Sequence, residues 1–180
     1  LGDEDREDLL FGKYNQIAEI SRQRALNPVV EYKKLRMYRH AMVQLARFQG
    51  SLSTFMEDGN YQYGVGGELR MLPHLDFVGE VERRIVRRYG DNVAASRLLA
   101  ETETLASGLD CSDCVLHYDA HNGNFLTDGT ILDSRSVVGI FLQDLVDFLL
   151  DYRDPHKIYF NDILTGFFLD ERRRFHNGSE

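Results

Sequence analysis

The chain is poor in cysteine, in lysine and in long apolar runs, and each shortage excludes something. Two cysteines in 180 residues, Cys111 and Cys114, cannot build a disulfide framework and point to a cytoplasmic setting. They form a lone Cys-x-x-Cys, and the second pair that a four-ligand zinc site would need is missing. No apolar run approaches the roughly 18 residues of a membrane span. The acidic start, Leu-Gly-Asp-Glu-Asp-Arg-Glu-Asp, has no signal-peptide core and no initiator Met, which is expected if the natural chain continues upstream. Positive charge is also in deficit. A net charge of −8 argues against nonspecific binding to nucleic acid or anionic membrane, and mildly favours a cationic small molecule as partner.

What is present is enough for one domain with a sizeable core: 43% of the residues are hydrophobic. Residues 8 to 26 are expected to be helical, ending at Asn27-Pro28, with Leu9, Leu10, Tyr14, Ile17, Ile20 and Leu26 on one side. From Val30 to Met56 the apolar set Leu35, Tyr38, Met42, Leu45, Phe48, Leu52 and Phe55 recurs at three- and four-residue spacing. That spacing predicts a long amphipathic helix, bent near Gly50-Ser51, with Lys33, Lys34, Arg36 and Arg39 on its solvated face. Residues 57 to 75 read as a flexible loop. Its Gly64-x-Gly66-Gly67 run lacks the Lys-Ser/Thr of a phosphate cradle, although Tyr61 and Tyr63 could wall an acceptor pocket. Helices are expected over 76–89 and 92–107, the first with Arg83, Arg84, Arg87 and Arg88 on a solvated face. Asp91-Asn92 is the expected cap between them and Gly108 the stop. Further apolar helices are expected over 139–151 and 157–170, followed by a tail, 171–180, that frays.

Chemistry concentrates between residues 115 and 133. His117, Asp119, His121, Asn124 and Asp133 fall there, separated by the apolar pairs Val115-Leu116, Phe125-Leu126 and Ile131-Leu132. The pairs read as three brief buried strands, with Asp128-Gly129 as a hairpin turn between the last two. Asp119, four intervening residues and Asn124 have the spacing of a kinase catalytic loop. In such a loop an Asp accepts the proton of the attacking hydroxyl and an Asn holds a metal ion. A second Asp beyond a short hairpin binds Mg²⁺.

The segment His117-Tyr-Asp119-Ala-His121-Asn-Gly123-Asn124 resembles the H-x-D-x-H-x-G-N loop of the aminoglycoside phosphotransferase and choline kinase family. Gly139 and Asp144-Leu145-Val146 resemble that family's Gly…Asp-Leu-Ala segment, and Leu45-Ala46-Arg47-Phe48 is similar to its helical L-A-R-L-H stretch. The resemblance covers roughly residues 35 to 150 and is strongest at 115–133. It implies an α+β, mainly helical fold, the C-terminal lobe of a protein-kinase-like fold, with a small β-hairpin carrying the catalytic loop. Residues 1–180 would form that one lobe. The implied reaction is ATP-dependent phosphorylation of a hydroxyl on a small molecule of the aminoglycoside, choline or sugar type. Asp119 would be the catalytic base, with His117 bracing the loop, and Asn124 and Asp133 would hold Mg²⁺ or Mn²⁺. His121 would support the loop, and Asp144 would cap its own helix and tie it to the loop.

Departures from the family pattern are plain. Tyr118 stands where a small residue is usual, Asn122 where Pro is usual, and Ser134-Arg135 where an aromatic often follows the second Asp. The family's N-terminal lobe carries a Gly-rich hairpin and a strand lysine. Neither is found before residue 117, and the only lysines are Lys13, Lys33, Lys34 and Lys157. A lobe without that cover is expected to expose an apolar patch and to self-associate. Two other readings stay open. One is a non-catalytic kinase-like interaction module. The other is a hydrolase in which His117, Asp119, His121 and Asp133 chelate Zn²⁺, Mn²⁺ or Fe.

Overall fold

The structure, a computed structural model, describes residues 12–53, 62–65, 68–90, 93–107, 113–151 and 153–177. The fold is α+β and mainly helical, with two small two-stranded antiparallel sheets among the described residues. Two compact units are assembled from non-contiguous stretches: 1–47, 120–133 and 145–180 form one, and 48–119 with 134–144 the other. Among the described residues, no helix is long and apolar enough to cross a membrane.

The first unit is built on helices. Helix α1 (Tyr14–Gln23) buries Ile17 and Ser21. Helix α2 (Pro28–Ser53) starts at a proline, whose missing N–H is no loss in a first turn. The Asn27 side chain caps it, accepting from Val29 N at 3.0 Å and Val30 N at 3.4 Å. Leu35, Tyr38, Met42 and Leu45 are buried, as their spacing requires, and the helix runs unbroken through Gly50-Ser51. Arg39 departs from the expected solvated face. It is buried, with its guanidinium over the Phe167 ring. Pro155–Phe160 form a 3-10 turn, and the last helix, which we label α6 (Asn161–Asn177), buries Ile163, Leu164 and Phe168. This helix continues to Asn177, well into the stretch expected to fray. Arg47 Nε donates to the buried Glu171 Oε1 at 2.8 Å and so holds that stretch.

The second unit holds both sheets. Strands β1 (Gln62–Val65) and β2 (Glu68–Met71) pair antiparallel, with Gln62 opposite Met71 and Val65 opposite Glu68. A hairpin therefore stands where a flexible loop was expected. Gly66-Gly67, like Tyr61, lies outside the described residues, and so do Asp91-Asn92, Gly108 and Cys111. Helices α3 (Phe77–Tyr89) and α4 (Val93–Ser107) match the expected spans within one residue. Asp76 caps α3 by accepting from Gly79 N at 3.1 Å, and Arg83 is exposed and paired with Glu80.

Strands β3 (Asp113–Leu116) and β4 (Val137–Ile140) form the second sheet, with Cys114 opposite Gly139 and Leu116 opposite Val137. The helix expected from residue 139 is thus strand up to Ile140, and helix α5 begins only at Leu142 and ends at Leu149. A Cβ on Gly139 would lie 3.0 Å from both Leu116 Cδ1 and Leu75 Cβ, so the strand packs this closely only because the residue is glycine. Residues 73–75 run beside β4: Leu75 N donates to Val138 O and Val138 N to Pro73 O. Leu75, Cys114, Leu116 and Val137 pack on one face, and Leu72, Val115 and Val138 on the other. Fully burying a side chain such as Leu116 contributes about 2 kcal/mol. Cys114 is buried.

Candidate functional site

The sequence-predicted residues divide between the units: His117, Asp119 and Asp144 belong to the second, and His121, Asn124 and Asp133 to the first.

In the second unit, β3 delivers the chain into a tight turn at Tyr118, which has φ +62. That conformation is costly for a bulky residue and needs support from its surroundings. Asp144 supplies it. Its carboxylate accepts the backbone N–H of His117 at 2.8 Å through Oδ2 and that of Tyr118 at 2.8 Å through Oδ1. Gln49 Nε2 donates to Asp144 Oδ2 at 2.9 Å and to Phe141 O at 3.1 Å. Burial pushes the Asp144 carboxyl up from the usual carboxylate range, while Gln49 and the two backbone donors pull the other way. Asp144 therefore ties its helix to the loop. It sits inside the first turn of α5 and does not precede it, and its oxygens are turned to the loop, so the expected capping role is replaced by the tie.

His117 is fully buried. Its Nδ1 accepts from Asp119 N at 3.2 Å, and its ring stands edge-on to Phe48 at 6.0 Å. A ring braced in this way positions the loop. Asp119 is part-exposed, and Arg135 Nη2 lies 3.3 Å from its Oδ2. Arg135 N also donates to His117 O at 3.0 Å.

In the first unit, residues 122–124 make a 3-10 turn headed by His121, whose Nδ1 accepts from Gly123 N at 3.0 Å. Arg153 Nη1 lies 2.6 Å from the same nitrogen. The expected hairpin turn follows, but Leu126 and Leu132 are exposed where buried strands were expected. Phe125 and Ile131 pair antiparallel, Leu126 N donates to Thr130 O, and the Asp128 side chain accepts from Thr130 N. Gly129 turns the chain at φ +85. Leu132 N donates to Asn124 O at 2.9 Å, so the backbone bond that closes this hairpin sets Asp133 one residue from Asn124's partner. Asn124 is buried, while Asp133 is exposed with φ +54. The tie joins the two backbones, and an amide oxygen and a carboxylate are the kind of ligand that a hard cation takes. Among the described residues, no three His, Cys, Asp or Glu side chains gather as a metal-binding group. His117 and His121 both use Nδ1 to accept backbone N–H groups.

Sequence reasoning missed a polar network in the first unit. Lys157 is wholly buried, its ammonium 3.9 Å from the Phe148 ring centroid. It donates to Asn122 Oδ1 at 2.9 Å and pairs with Asp151 Oδ2 at 3.5 Å. Burial pushes Lys157 down to about 8, against the pull of Asp151. Asp151 also accepts from Asn122 N and Arg153 N. Burial alone would raise Asp151, but these bonds and the Lys157 charge hold it below the usual carboxylate range. The Asn122 side chain bonds the Tyr38 hydroxyl, which donates to Asp154. No sequence signal marks a lone lysine between His156 and Ile158 as buried.

No family model, curated protein or solved structure matches the chain.

Proposed function

We propose that the chain is the catalytic lobe of an ATP-dependent phosphotransferase acting on a hydroxyl of a small molecule, with a protein-kinase-like C-terminal fold. One observation carries the reading. The resemblance of His117–Asn124 and Asp144–Val146 to the aminoglycoside phosphotransferase and choline kinase family implies that a buried Asp ties its helix to the catalytic loop. Asp144 accepts the N–H groups of His117 and Tyr118 at 2.8 Å each. Turn propensities at Asn122-Gly123 would not produce such a link.

Phosphoryl transfer asks the protein for position and charge more than for covalent chemistry. Asp119, held two residues after a buried histidine, orients the acceptor hydroxyl and takes its proton. Asn124 and Asp133 would hold Mg²⁺ or Mn²⁺, which would neutralise charge on the nucleotide phosphates. His117 and His121 keep the loop backbone in shape through their Nδ1 atoms. The chelating-hydrolase reading needs those histidines as ligands, whereas bonds accepted at Nδ1 support a bracing role.

The experiment is a metal and nucleotide titration of the full-length natural protein with a panel of small alcohols and amino alcohols. Phosphorylation supported by Mg²⁺ or Mn²⁺, with little metal bound before ATP is added, is the expected result. Stoichiometric Zn²⁺ that survives purification and is lost on His121→Ala would overturn the reading in favour of a hydrolase.

A further inference from the structure

A cavity of about 240 Å³ lies within the first unit, lined by Lys34, Met37, Tyr38 and Ala41 of α2 together with Asn122, Phe125, Leu126 and Phe148. Nothing in the phosphotransfer reading uses it. We propose that this cavity is a binding site for a neutral, single-ring molecule carrying one hydrogen-bond-accepting oxygen, such as a phenol, cyclic alcohol or cyclic ketone.

Size sets the first limit. An apolar protein cavity of about 150 Å³ holds a benzene ring, and drug-sized ligands occupy about 300–1,000 Å³. A volume of about 240 Å³ lies between these and suits one substituted ring. The walls set the second. Met37, Ala41, Phe125, Leu126 and Phe148 are apolar, and Phe148 stands edge-on to both Tyr38 and Phe125 at 5.7 and 5.5 Å. Two aromatic edges meeting a third ring make a slot that favours another flat molecule.

Charge sets the third limit. Lys34 at the wall is paired with Glu31 at 3.6 Å and Asp154 at 3.5 Å. Lys157, behind Asn122 and Phe148, is paired with Asp151. Both lysines are therefore paired within the protein, and Asp154 also accepts from the Tyr38 hydroxyl, so a charged ligand would shed water without gaining an uncommitted counter-ion.

The polar contact follows from the orientation of Asn122. The Lys157 ammonium can only donate, so the Asn122 oxygen must face it. The amide nitrogen then points the other way, towards Tyr38, whose hydroxyl bonds that side chain and gives its own proton to Asp154. An amide nitrogen carries two hydrogens, and Tyr38 takes one. That leaves the second for a partner at the cavity that Asn122 lines, and a ligand oxygen is its natural match.

The test uses the natural chain and does not depend on its enzymatic activity. Phenol, benzyl alcohol and cyclohexanone are titrated as neutral probes, with benzoate and benzylammonium as charged counterparts, following the methyl resonances of Met37 and Ala41. Saturable shifts with the neutral probes are expected, at least tenfold tighter than with either ion. Met37 is half exposed, so Met37→Trp should fill the cavity from its rim without disturbing the fold and weaken binding at least tenfold. Ala41→Leu, one turn further along the same wall of α2, should do the same, and Asn122→Asp should weaken phenol more than toluene. No saturable binding by any neutral probe, tighter binding of an ion, or binding indifferent to both Met37→Trp and Ala41→Leu would each overturn the proposal.

Discussion

Asp144 accepts the backbone N–H of His117 at 2.8 Å across 27 residues of chain, in a place where neither group meets water. The same carboxylate serves Tyr118 N and Gln49 Nε2, so its removal orphans three donors at once. A buried donor left unsatisfied costs about 1–3 kcal/mol. Asp144→Ala should therefore destabilise the protein by about 3 kcal/mol or more in urea unfolding. Asp144→Asn keeps one acceptor oxygen and should cost clearly less. Equal losses for the two variants would mean that packing, and not the hydrogen bonds, is what Asp144 supplies.

Gly129 is the second pressure point. Its φ of +85 is unfavourable for any residue with a side chain, and an added Cβ would sit 2.9 Å from Gln44 Cγ and 3.1 Å from His40 O. The backbone term alone costs about 1–2 kcal/mol, and the carbonyl at His40 belongs to a helix and cannot easily yield. Gly129→Ala should lower the unfolding free energy by about 2 kcal/mol. It should also perturb the amide resonances of Leu126 and Thr130, which close the turn.

That hairpin was legible in the sequence because Asp128-Gly129 sits between two apolar pairs and the chain has few ways to satisfy both. The β1–β2 hairpin had a comparable signal, Gly66-Gly67 between two four-residue runs, which was read as flexibility. Strand β4 was not legible. Val137-Val138-Gly139-Ile140-Phe141-Leu142 is apolar at every position, and a continuous apolar run does not tell a buried strand from a helix. At the loop, spacing singled out His117, Asp119, His121, Asn124 and Asp133, whose roles are proposals, and the resemblance singled out Asp144, whose carboxylate bonds the loop backbone. Gln49, Arg153 and Lys157 were not, because each meets its partner through long-range packing that leaves no local pattern.

Lys157 gives a pH signature. Its folded-state value is lowered from 10.5 to about 8, so between those values the unfolded chain holds more protons than the folded one. Stability from this group should therefore rise with pH across that window, by an amount on the order of 3 kcal/mol. Tyr38 works the other way. Burial, then its bond to Asp154, holds its hydroxyl above the ordinary tyrosine value, and stability from this group is present below about pH 10 and lost above it. The stability of the wild type minus that of Lys157→Met should climb between about pH 8 and about pH 10. A difference that stays flat over that range in urea titrations would mean that Lys157 is not held near 8.

Asp119 is the residue on which the phosphotransfer reading depends most directly. Its backbone is fixed by the bond to His117 Nδ1, and its carboxylate is part-exposed beside Arg135, so it can meet a substrate without dismantling the core. Asp119→Asn preserves shape and hydrogen-bonding capacity but cannot accept a proton, which isolates the chemical role from the structural one. General-base assistance is worth about 10²–10⁴-fold in rate. In the full-length natural protein, kcat should fall by about that factor, while the Kd for ATP, measured by calorimetry with Mg²⁺, should move by less than about twofold, since the residue acts on the acceptor hydroxyl. Thermal stability should be unchanged, because the backbone bond to His117 survives the substitution. Wild-type turnover in the variant would reduce Asp119 to a loop residue and remove the main chemical support for a kinase. A parallel loss of ATP affinity would assign it to the nucleotide instead of the acceptor.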